Sequence, residues 1–245
     1  MDLFDAHLGP CCDSPDPETV GKLASLLSGA LTWGIQSAAW RSALAAVAPE
    51  KQWLHAEGVA QLIGPDDPRF PQTHPDVLDL AVSDAELHRL LQLPDRAWFP
   101  LLKASHGRCG LRLNLPPNGG AIPLIKKLVR GFPETLFLVD AFRHGPRSGW
   151  VPQVRLAENE NVRVTTQGLA PGDACTWPDP SDVAAAFYYV SGEVGVGKLI
   201  FASGATPQQL AKLDYKNWLS SIPCLDEAQR ELIAFRNVQE LQRVR

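Results

Sequence analysis

Short apolar runs of six or seven residues alternate with longer stretches of helical period along nearly the whole chain. The runs at 2–7, 31–36, 58–63, 110–115, 135–140, 161–166 and 198–203 read as strands. Most end in a Gly or Pro cluster (LGP, IGP, LPPNGG, HGP, QGLAPG, SGATP), where turn chemistry stops a strand. Between them, Asp16 and Pro17 form an N-cap and first-turn pair ahead of a helix. Residues 83–93, 122–131, 182–194 and 225–244 also carry apolar positions at helical spacing. The stretch 98–115 reads as a helix followed by a strand, because five residues cannot join two parallel strands.

Strands alternating with helices predict a parallel sheet covered by helices. With no repeat, no low-complexity run and no linker, the expectation is one α/β domain over residues 1–245. A (β/α)8 TIM-type barrel leads and a doubly wound open sheet is the runner-up. Seven strands are visible, so a barrel requires an eighth that the pattern does not mark. The chain has 245 residues, slightly short of the roughly 250 that such a barrel typically uses.

A barrel carries its chemistry where strands run into helices. The first strand ends in residues 4–9, where alternation puts Asp5, His7 and Gly9 on one side and Phe4, Ala6 and Leu8 on the other. With the apolar set toward the helices, Asp5 and His7 point into the barrel near its mouth. That pair suits a metal ligand or an oriented base, or else a hydrogen-bonded pair closing the barrel. In the strand at 110–115 the leucines share one face, which leaves Arg112 and Asn114 on the interior one. An interior arginine needs an anionic ligand or an acidic partner such as Asp140 or Asp5. Arg143 and His144 make the loop after residue 140 cationic, suited to a carboxylate or phosphate or simply solvated. Trp177, in the loop after residue 166, is a candidate pocket wall.

Charge narrows the function classes. Twenty-three basic against 27 acidic side chains leave a net charge of -4, with no field for a polyphosphate backbone. Nucleic-acid binding is therefore not expected. No apolar run reaches the ~18–20 residues of a membrane span, and the first ten residues lack the basic and apolar regions of a signal peptide. The five cysteines are odd in number, two are adjacent, and no C-x-x-C pair occurs, which fits inert thiols in a reducing cytoplasm. Phosphate-loop, dinucleotide, zinc-protease and nucleophile-elbow motifs are all missing.

The ordered set FDAHLG, VAQLIGPDDP, GLRLN, FPETLFLVDAF, NVRVTTQGL, GKLIFASGATP and LDEAQRELIAFRNVQEL, with Asn237 in the last, spans nearly the whole chain. It resembles the amidohydrolase superfamily, in the branch that includes decarboxylases and lactonases. The resemblance implies a metal-bearing (β/α)8 barrel. Its first strand usually carries His-x-His, its fifth and sixth a histidine each, and its last an aspartate after Gly-Ser. His7 matches the first histidine and is the candidate metal ligand, but Gly9 stands in the second position. Ala141 takes the fifth-strand place, with His144 three residues on, and no histidine lies near NVRVTTQGL. The last-strand motif reads Ala202-Ser203-Gly204. The resemblance therefore implies a divergent member, with a divalent metal such as zinc held, if at all, by a non-standard set.

Two functions follow as expectations. One is a hydrolase or lyase acting on a small carbonyl or carboxylate compound. His7, Asp5 and Asp140 would be its catalytic groups, and Arg112, Asn114, Arg143, His144 and Trp177 its substrate-binding groups. The other is a catalytically inactive barrel that binds a small anion or a protein partner. A homo-oligomer is compatible with either.

Overall fold

A computed structural model describes residues 2–59, 77–81, 110–114, 120, 122–146, 149–171 and 179–242. Its eight strands are β1 (Phe4–Leu8), β2 (Gly29–Thr32), β3 (Gln52–Val59), β4 (Val77–Ala81), β5 (Gly110–Asn114), β6 (Phe137–Val139), β7 (Val162–Thr165) and β8 (Leu199–Ile200). They form one sheet in chain order, and every neighbouring pair is parallel. The sheet also meets itself. Ala6 N–H donates to Phe201 O at 2.9 Å, and Gly204 N–H donates to His7 O at 3.0 Å, so the chain leaving β8 lies against β1. The fold is an α/β barrel of the TIM type.

The strand missing from the sequence pattern is β4. It is the five residues VLDLA, a run shorter than the six or seven residues of the strands read from the sequence. Two further runs shift. The strand expected at 31–36 is Gly29–Thr32, because Gly34 adopts φ +113° and turns the chain. The strand expected at 58–63 begins earlier, at Gln52, and residues beyond 59 lie outside the described ones. The helix expected at 83–93 and the one expected within 98–115 lie outside them too.

Local chemistry explains the helices. Helix α1 (Pro17–Leu26) starts where Asp16 accepts the Thr19 N–H at 2.8 Å, with proline in the first turn. Helix α2 (Ser37–Val47) is alanine-rich and buries Trp40 and Leu44. Helix α3 (Ile122–Gly131) has the expected bounds. After the short α4 (Trp150–Val154), α5 (Pro180–Glu193) is capped by Asp179. Next come α6 (Pro207–Leu210), α7 (Tyr215–Ser220) and α8 (Glu227–Ala234), the last opened by a reciprocal cap between Asp226 and Gln229. The single C-terminal helix expected over 225–244 instead breaks at Phe235 into a 3-10 turn. There Asn237 donates to Val196 O at 2.9 Å and Leu199 O at 2.6 Å.

The core has two layers, and they reverse one expectation. Phe4 and Ala6 pack with Leu31, Leu54, Ala56, Val77, Leu138, Ile200 and Ala202, a cluster drawn from strands around the ring, which is the barrel interior. Leu3, Leu8, Ala30, Trp53, Phe137 and Val164 pack instead with the helices. The alternation had put Phe4 and Ala6 on the helix side. A small barrel fills its own interior with apolar side chains, so an apolar face does not tell inside from outside.

Candidate active site at the barrel mouth

The first strand carries an extra residue. Asp5 pairs with Ala30, but Leu8 pairs with Thr32, so two residues, Ala6 and His7, stand opposite Leu31 alone. The bulge changes which side chains share a face. Asp5 sits level with Ala30 of the helix-facing layer, whereas His7 comes level with the interior Leu31. His7 is 2% exposed, and its ring lies 5.0 Å from that of Trp33 at an interplanar angle of 69°. Trp33 in turn packs on the barrel interior. Asp5 and His7 are therefore brought together through the main chain, with the imidazole alone aimed at the mouth.

Asp5 has a different task from the one its spacing suggests. Its Oδ1 accepts the N–H groups of His7 and Ser203, each at 2.9 Å, and its Oδ2 accepts the Ser203 hydroxyl at 2.5 Å. Ser203 Oγ also accepts the Ala205 N–H at 3.1 Å. Several donors on one buried carboxylate make a strong, charge-assisted clamp. It fastens the bulge of β1 to the segment after β8, across the seam where the barrel closes. Ser203 was visible in the sequence only as the middle of the ASG motif. Its hydroxyl and backbone roles depend on the seam.

Asp140, at the end of β6 and 2% exposed, accepts the Thr165 hydroxyl at 2.5 Å. Leu113 pairs with Val139, and Val139 with Val164. One residue further along, Asn114, Asp140 and Thr165 therefore stand level on three neighbouring strands. One layer below, Arg112 is level with Asp79 and Leu138. Leu113, between Arg112 and Asn114, is buried in the helix-facing layer. Thr165 gave no sequence signal, because threonine is common in strands for packing reasons alone. Beyond β6, Arg143 is half-buried and His144 exposed. Trp177 lies outside the described residues. Asp140 and His7 face the mouth from different sides, with β7 and β8 between their strands.

Cys11, next to the first strand, is buried, and burial pushes its thiol up to about 12. The Trp33 N–H environment and the Asp5 charge are smaller influences. The group stays protonated at neutral pH, as expected of an inert thiol.

Among the described residues, no group of three or more His, Cys, Asp or Glu side chains converges, and zinc sites use three or four protein ligands. At position 9, two residues beyond His7, a Cβ would fall inside the van der Waals sphere of the Trp33 carbonyl oxygen. Position 204 holds a glycine at φ +66° whose N–H is bound to His7 O.

Solved structures place this architecture. An amidohydrolase from Burkholderia multivorans with bound zinc superposes with a TM-score of 0.67 at 14% identity, over 98% of this chain and 99% of that one. The chain has the fold of the amidohydrolase barrels. A probable 2-pyrone-4,6-dicarboxylic acid hydrolase from Acinetobacter baumannii with citric acid bound gives 0.64 at 15% identity, over 98% and 99%. The organophosphorus hydrolase of Deinococcus radiodurans gives 0.65 at 10% identity, over 98% and 92%. No protein-family model and no curated protein sequence matches the chain. No helix among the described residues is long and apolar enough to cross a membrane.

Proposed function

We propose that the barrel is a hydrolase or lyase for a small carbonyl or carboxylate compound, working by proton transfer at its mouth. The observation that carries this reading is the buried His7 imidazole, turned inward by a bulge in β1. A strand that breaks its own register to aim an imidazole at the mouth is an arrangement that catalysis uses and packing alone does not need. His7 takes or returns the proton. Asp140, held by Thr165, supplies a second proton-handling group from the far side. Asp5 acts as a positioning residue through the main chain of His7. Arg112, Asn114, Arg143 and His144 hold the substrate's carboxylate, and Trp177 supplies an apolar wall. No step is assigned to a metal ion.

The likeness to a dicarboxylic acid hydrolase with citric acid bound supports a carboxylate-bearing substrate. Three described cysteines, Cys11, Cys12 and Cys224, are free thiols, which supports a reducing, cytoplasmic setting. A second reading, an inactive barrel that holds a small anion, is favoured by the glycines at positions 9 and 204.

A panel of lactones, N-acyl amides and β-keto acids tests the two. Turnover that falls about 100-fold or more in His7→Gln is the result expected of proton transfer. Absence of turnover across the panel, with citrate binding lost in Arg143→Ala, would instead establish the second reading.

A further inference from the structure

We infer that the mouth is closed to a zinc ion by its main chain, and that Gly9 is the residue that decides this. A metal centre built on His7 needs further side chains converging beside it, and the nearest position on the same strand end is 9. A Cβ there would meet the Trp33 carbonyl oxygen and lie 3.2 Å from Cys11 N. The carbonyl is not free to retreat. It accepts the Cys11 N–H at 2.6 Å, while Trp33 N–H binds Leu8 O at 3.0 Å and Gln36 N–H binds Cys11 O at 2.8 Å.

The facing loop, which follows β2, has the same design. Gly34 takes φ +113°, and a Cβ on it would lie 2.6 Å from Cys11 N. Two glycines thus let two loop backbones dock directly on each other, with no room between them for a Cβ. The Trp33 ring lies against His7 from the same loop. The exclusion of a ligand at position 9 is a matter of backbone packing, and placing a side chain there does not create a site. The assignment concerns metal and holds whether or not the mouth turns over a substrate.

The experiment measures zinc content and thermal midpoint. The purified chain, Gly9→Ala and Gly9→His are each equilibrated with zinc chloride, desalted and assayed by elemental analysis. No stoichiometric zinc is expected in any of them, and both variants should melt lower by about 2–12 °C, since a single Cβ already overpacks the contact between the two loops. One zinc per wild-type chain that His7→Ala removes would overturn the inference. So would a Gly9→His protein that keeps the wild-type midpoint and gains a zinc ion. Should Gly9→His fail to fold, the Gly9→Ala midpoint and the wild-type zinc content decide the matter: an unchanged midpoint in Gly9→Ala also overturns it.

Discussion

Single residues in this chain differ sharply in how far their type foretells their task. Cys11 and Cys12 are neighbours in sequence, yet one is buried and the other exposed. In a Cys12→Ser variant, Cys11 should resist iodoacetamide at pH 8 in the native state and react once urea unfolds the chain, as followed by mass spectrometry. The same burial has a pH consequence. The folded thiol titrates at about 12 against an ordinary 9.0, so above about pH 9 the unfolded chain releases a proton that the folded one keeps. The contribution of this group to stability is therefore intact below pH 9 and declines as pH rises toward 12. Rapid labelling of native Cys11 would contradict the burial that raises it. Asp5 makes a related point. Its carboxylate was legible as a buried group next to His7, but its partner Ser203 lies some 200 residues away in sequence, and no local pattern names it.

At the scale of elements, the helix caps were the most readable feature. Asp16 and Pro17 sit where the first helix begins, because a side-chain acceptor and a fixed φ act within one turn. The joints between elements were not readable. Asn161, just before β7, donates its amide to Val129 O at 3.1 Å, Phe132 O at 2.9 Å and Thr135 O at 3.1 Å. It thus holds the end of α3 and the approach to β6 against β7. Asn161→Ala should lower stability by about 1–3 kcal/mol in urea titration, the penalty of leaving part-buried carbonyls without their donor. A change below about 0.5 kcal/mol would mean that water replaces the amide at no loss. The bulge in β1 also belongs to this scale. Strict alternation places Asp5 and His7 together, and the extra residue separates them onto two faces. One inserted residue reverses every facing assignment beyond it, because the side-chain period of a strand is two.

For the molecule as a whole, stability rests on two apolar layers, one inside the ring and one between ring and helices. Phe4 is fully buried in the inner layer, where no helix can shift to fill a void. Phe4→Ala should therefore cost about 3–5 kcal/mol, read from the denaturation midpoint at unchanged slope. A loss under about 1 kcal/mol would place Phe4 outside the packed interior. The amino-acid sequence by itself determined the alternation of strands and helices, the parallel sheet and the helix caps. These follow from periodicities and turn residues that act over a few positions. Only the tertiary structure decided which face of β1 turns inward, where the fourth strand lies, how the seam between β1 and β8 is clamped, and why no side chain fits at position 9. Each of these depends on groups far apart in sequence meeting at one point, and the closure of a ring of strands is what brings them there.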